Sequence, residues 1–100
     1  MIRHLVFWKL KESANNASAK ENAEKLVELF KSLEGKIPEL VSIESGYNFN
    51  DSAAAWDFAL STSFKSKEDL DAYQVHPEHQ KIVAFVKSIV SDRCVVDYEF

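Results

Sequence analysis

The sequence predicts one α+β domain of the split strand–helix–strand type, a four-stranded antiparallel sheet with its helices on one face. Three observations carry that prediction. Both ends of the 100-residue chain alternate apolar and polar residues with period two. Two stretches between them place apolar residues at helical spacing, each behind a Ser-x-x-acid capping signature. Turn residues separate two further apolar runs in the middle of the chain.

The elements follow in order. From Ile2 to Lys11, residues Ile2, His4, Val6, Trp8 and Leu10 fall on one face, and Arg3, Leu5, Phe7, Lys9 and Lys11 on the other. That is a strand. Ser18-Ala-Lys-Glu21 opens a helix with Ala19, Ala23, Leu26, Val27, Phe30 and Leu33 on its packed side. Gly35 is expected to close it at the C′ position, and Pro38 prevents resumption. A second strand runs from Leu40 to Phe49, with Val41, Ile43, Tyr47 and Phe49 on one face. Asn48 to Ser52 is turn chemistry, and a third strand spans Trp56 to Lys65. Ser66-Lys-Glu-Asp69 opens a short helix carrying Leu70 and Tyr73. His76-Pro77 breaks it, because the residue before proline avoids helical angles and proline suits the first position of the next helix. That helix extends to about residue 91. Arg93 to Phe100 closes the chain as a strand, with Cys94, Val96, Tyr98 and Phe100 on one face. Right-handed crossovers turn this order into one sheet with both helices on one side.

The opposite side of the sheet carries Leu5, Phe7, Ala59 and Val95. An apolar patch on so small a domain calls for cover, and a second copy related by two-fold symmetry is the simplest cover. Self-association as a homodimer through the sheet face is therefore expected.

Composition narrows the function. A net charge of -4 opposes nucleic-acid binding, which needs a concentrated basic footprint. The third strand also lacks the Lys/Arg-Gly-Phe/Tyr signature of the RNA-recognition module, which shares this element order. Cys94 is the single cysteine, so a disulfide framework and a cysteine zinc site are excluded; it is expected to be a small core residue. No apolar run has the length of a signal peptide or membrane span, which points to the cytoplasm and away from membranes. The glycosylation-like triplets at Asn16 and Asn50 then read as loop chemistry. Gly35 and Gly46 are the only glycines, too few for a phosphate loop or dinucleotide fingerprint, and no cofactor is called for.

The segment Tyr73-Gln-Val-His76-Pro-Glu-His79 concentrates titratable groups at the helix break, and His4 is expected to meet Tyr73 and His79 across the core. With Pro77 as first helical residue, His79 lies in the first turn, where the helix dipole disfavours imidazolium. A neutral imidazole suits a general base, and Tyr73 can donate to a developing enolate oxygen. His76 is read as the helix cap and, with His4, Val6 and Trp8, as part of the pocket lining. Val6 and Trp8 share the strand face of His4, and the bulk of Trp8 limits the size of any ligand. His76 and His79 have a spacing that can present two metal ligands beside Glu78, but one histidine is expected at the helix cap and no further ligand is evident, so no metal is expected.

Over essentially its whole length the chain resembles the stress-responsive α/β barrel domain family of the dimeric α+β barrel superfamily. The resemblance rests on Met1-Ile-Arg-His-Leu-Val-Phe-Trp-Lys-Leu-Lys11, on Tyr73-x-x-His-Pro-x-His79 and on Asp92-Arg-Cys-Val-Val-Asp-Tyr98. It implies a ferredoxin-like fold and a dimer whose two sheets form a central barrel. Plant members are linked to stress tolerance, and one plant branch cyclises a linear polyketide by aldol condensation without a cofactor. In that branch the residues matching Tyr73 and His79 are catalytic, and one matching His4 lines the pocket. The expectation is a dimeric barrel protein binding a small, partly apolar molecule between sheet and helices. The alternatives are a cofactor-independent cyclase using His79 and Tyr73, or a cofactor-free monooxygenase, a class that the superfamily contains.

Overall fold

Strict alternation in β1 (Ile2–Leu10) decides the layering of the molecule. In the computed structural model, which describes residues 1–100, Ile2, His4, Val6, Trp8 and Leu10 are all buried, while Arg3, Leu5 and Phe7 on the other side are half-buried. A two-residue hairpin follows, β2 (Ser13–Ala14) and β3 (Ala17–Ser18). Asn15 and Asn16 turn it with φ of 55° and 61°, a left-handed pair that asparagine tolerates and that matches strand twist. The chain then forms α1 (Ala19–Lys31), β4 (Ser42–Tyr47), β5 (Phe58–Phe64), α2 (Lys67–Val75), α3 (Pro77–Ile89) and β6 (Val90–Glu99). The main sheet is ordered β4-β5-β1-β6, and every pairing in it is antiparallel. This is the predicted α+β, ferredoxin-like architecture.

The caps explain where the helices begin. Ser18 Oγ accepts from the Glu21 amide at 3.2 Å and Glu21 Oε1 accepts from the Ser18 amide at 3.1 Å, so the capping box is complete. The other end differs from expectation. Helix α1 stops at Ser32, whose amide bonds the Glu28 carbonyl and whose hydroxyl donates to the Leu29 carbonyl. Gly35 does adopt φ 78°, but it serves the following turn rather than the C′ position.

Helix α1 lies over β4, and α2 over β5 and β1. Between the layers, Trp8 stacks on Phe30 with ring centroids 5.8 Å apart and interplanar angle 17°, and Phe58 closes the group. Strand β4 is shorter than expected: Val41 and Phe49 lie outside it, and both are exposed.

The last strand corrects one expectation. Its register against β1 shifts between Lys9 and Leu10, which pair with Asp92 and Val90 and leave Ser91 over. One residue of slip exchanges the two faces of a strand. Cys94, Val96 and Tyr98 therefore stand opposite Phe7, Leu5 and Arg3 on the outer face, while Arg93, Val95 and Asp97 stand opposite Trp8, Val6 and His4 on the helix side. Val95 does not belong to the outer patch, and Cys94 is half-exposed there rather than a core residue.

Candidate ligand pocket

The break between α2 and α3 builds one wall of the site. His76 is extended, with φ −65° and ψ 135°, as the residue before proline must be. Its Nδ1 accepts from the Glu78 amide at 3.1 Å and so caps α3. This use of the Glu78 amide leaves the Gln74 carbonyl at the end of α2 without its helical donor. His79 Nδ1–H donates to that carbonyl at 3.1 Å, and Gln80 Nε2 donates to it at 2.6 Å. A carbonyl can only accept, so the proton of neutral His79 sits on Nδ1 and the lone pair on Nε2.

The same bend lays the His79 ring against Tyr73, with centroids 4.2 Å apart. Burial pushes the His79 pKa below its ordinary value of 6.5, the Gln74 bond opposes that shift, and the charges of His4, Arg93 and His76 add to it. Tyr73 is fully buried, and burial drives its pKa up, so it remains a hydroxyl donor.

The sheet supplies the opposite wall. His4 is 4% exposed and its ring meets Tyr73 edge-on at 6.5 Å. Its Nδ1 donates to Asp97 Oδ1 at 2.5 Å. Between these walls lies a cavity of about 270 Å³, lined by His4, Val6, Trp8, Tyr73, His79 and Arg93 together with apolar residues of α1, β5 and α3. Trp8 forms part of the wall rather than filling the space. The Trp8 Nε1 and Tyr73 Oη atoms are buried without a hydrogen-bond partner. Both are donors, and a buried donor left unpaired costs about 1–3 kcal/mol.

The structure thus brings His4, Val6, Trp8, Tyr73 and His79 around one cavity and leaves His76 out of its lining, committed to the helix cap. No group of three His, Cys, Asp or Glu side chains is arranged to hold a metal ion. Two residues escaped the sequence reading, Asp97 behind His4 and Arg93 at the cavity edge. Both follow from alternation once the face of β6 is phased correctly.

Comparison with known proteins bears on the family and the fold. The family model described as the stress responsive A/B barrel domain matches residues 2–100. The chain belongs to that family. A curated relative, a stress-response A/B barrel domain-containing protein of Arabidopsis thaliana, is 39% identical over 46 residues, covering 46% of this chain and 22% of that protein. The match thus spans about a fifth of that relative's length. A dimeric ferredoxin-like protein of unknown function from Bacteroides fragilis superposes with a TM-score of 0.87 at 29% identity, covering 99% of this chain and 95% of that one. A dimeric ferredoxin-like protein from Thermobifida fusca superposes with a TM-score of 0.85 at 24% identity, covering 99% and 90%; at that identity it speaks for the fold alone. No helix is long and apolar enough to cross a membrane.

Proposed function

We propose that this protein is a homodimer whose subunits each bind a small, partly apolar molecule carrying a carbonyl or hydroxyl oxygen. One observation carries the reading: Trp8 Nε1 and Tyr73 Oη, two buried donors without partners, both belong to residues lining one cavity. An acceptor oxygen between them would satisfy groups that the fold leaves unsatisfied. The dimer is supported by the outer apolar face of Leu5, Phe7, Val96 and Tyr98 and by the dimeric Bacteroides fragilis relative. The same reading puts the protein in the cytoplasm, where the free Cys94 stays reduced.

A second reading is favoured by His79. With Nδ1 held by Gln74, its Nε2 carries the lone pair of a ring whose centroid lies 4.2 Å from that of Tyr73. His79 would take a proton from the carbon next to a bound carbonyl, and Tyr73 would hydrogen-bond the enolate oxygen. The enolate carbon then attacks a second carbonyl of the same molecule, and the proton returns to the new alkoxide.

Thermal stabilisation of the dimer by a panel of aromatic and alkyl ketones and diketones, followed by product analysis of the diketones, tests both. Stabilisation without product supports the binding protein. Turnover that His79→Ala abolishes, in a dimer that stays folded, supports the enzyme. A panel that leaves the melting temperature and the Trp8 indole signal unchanged removes both.

A further inference from the structure

The cavity lining is biased in charge, against the grain of the chain. The protein has 16 acidic and 12 basic residues, yet none of the 14 residues lining this cavity is Asp or Glu. Its charged members are Arg93 from β6 and Lys87 from α3, alongside the two histidines. Neither Arg93 nor Lys87 takes part in an ion pair or in a side-chain hydrogen bond within the protein; the ion pairs are His4–Asp97, Lys67–Glu99 and Lys81–Glu78. The acids nearest Arg93 in the strand are engaged elsewhere. Asp92 points to the outer face with its Oδ1 on the Arg93 backbone amide at 2.8 Å, and Asp97 holds His4.

We infer that the ligand of this cavity is a partly apolar carboxylic acid, bound with its carboxylate at the mouth between Arg93 and Lys87 and its body directed toward Trp8 and Tyr73. The inference rests on the binding reading proposed above and specifies the ligand class. Arg93 is placed for this task. It stands opposite Trp8 in the sheet register, at the edge strand where the helices leave the sheet uncovered, so its guanidinium is both exposed and next to the cavity. A planar guanidinium matches a carboxylate with two parallel hydrogen bonds, and a lysine beside it adds a point charge. Deeper in, Val6, Phe30, Leu60, Ile82 and Val86 supply an apolar wall. Trp8 and Tyr73 belong to the same lining and carry the donors left unpaired.

The size of the cavity sets the size of the acid. An apolar cavity of ~150 Å³ admits benzene. The 270 Å³ measured here holds one ring with a short carboxylated arm, and lies below the range of about 300–1,000 Å³ typical of larger ligands. A keto acid of that size would use both polar ends at once.

The test uses phenylacetate, cinnamate and phenylpyruvate as anionic probes and phenylacetamide and cinnamamide as their neutral counterparts. Each is titrated into the protein while the Trp8 indole and His79 imidazole signals are followed by NMR. The acids are expected to bind about tenfold or more tightly than the amides, the difference expected when a hydrogen bond gains a charged partner. That preference should disappear in Arg93→Gln, survive in part in Arg93→Lys, and shrink with added salt because the mouth is exposed. Phenylpyruvate should bind most tightly, and its advantage over phenylacetate should vanish in Tyr73→Phe. Acids and amides of equal affinity, both shifting Trp8, would overturn the carboxylate inference and leave the pocket reading intact. Probes that shift neither Trp8 nor His79, or shift only outer-face residues, would overturn both. Arg93 and Lys87 are exposed, so their variants should fold; if Arg93→Gln does not, Lys87→Gln provides the same comparison.

Discussion

The two faces of the sheet invert the usual distribution of polarity, and the inversion separates two tasks. On the helix side, β1 buries every alternate residue from Ile2 to Leu10 to 8% exposure or less, yet this covered layer holds His4 and meets Tyr73 and His79. On the other side nothing covers the sheet, yet it presents Leu5 and Phe7 with Val96 at 50% and Tyr98 at 47% exposure. Polar groups in a covered layer are costly unless hydrogen-bonded, as His4 is to Asp97 and His79 to Gln74, while Trp8 Nε1 and Tyr73 Oη are not. Apolar groups on an uncovered face are costly unless something sits on them. The difference teaches that the two proposals rest on opposite signals, the small-molecule site on polar groups inside a covered layer and the self-association surface on apolar groups outside it.

Substitutions can break each side of this comparison separately. The largest effect is expected at Trp8, which stacks on Phe30 at the centre of the inner layer. Trp8→Ala should cost about 3–5 kcal/mol of unfolding free energy in urea denaturation. A loss below ~1 kcal/mol would mean that the inner layer is not the core.

Next in size is the outer face. Phe7→Asp should leave the circular dichroism of the subunit unchanged while weakening self-association. Burial of one such side chain stabilises by about 1.5–3 kcal/mol, which is roughly a tenfold to hundredfold rise in dissociation constant. Sedimentation equilibrium reads this directly, and a dimer unmoved by the charge would place its interface elsewhere.

A smaller effect of opposite sign is expected at Tyr73. Tyr73→Phe removes a buried hydroxyl that has no partner. Stability should rise by about 1 kcal/mol while affinity for an oxygen-bearing ligand falls. Destabilisation instead would show that the hydroxyl is satisfied in the free protein.

The smallest expected effect is the pH dependence of His79, which remains partly exposed. Burial holds its folded-state pKa below 6.5, against the opposing pull of the Gln74 carbonyl and with help from His4, Arg93 and His76. Between the lowered folded value and the ordinary unfolded one, the unfolded chain binds more protons. Stability is therefore fully present above 6.5 and declines as pH falls through the folded-state pKa. Denaturation midpoints between about pH 7.5 and about pH 5 should show this slope, and His79→Gln should flatten it. An imidazole titrating at or above its ordinary value would contradict the desolvated placement.

Much of this was legible in the chain. The alternation of β1 and the Ser18–Glu21 box report interactions between residues a few positions apart, and both appear in the structure as read. So does the Pro77 break, because proline's effect on its neighbours is local. The C-terminus of α1 was less legible, since Ser32 intercepts the last carbonyls before Gly35 is reached. His76 carried two plausible roles, and the free amide of Glu78 claimed it for the cap.

The sequence alone determined the order of the main-sheet strands and helices, though not the small β2–β3 hairpin, and it determined the inner face of β1 and the clustering of Tyr73 and His79 at a helix break, because each depends on short-range backbone geometry. Only the tertiary structure decided which face of β6 looks inward. Alternation sets the period of a strand but not its phase, and the one-residue shift at Lys9 and Leu10 sets that phase through pairing with a strand some eighty positions away. On that phase depend the Asp97 contact that holds His4 and the place of Arg93 at the mouth of the cavity.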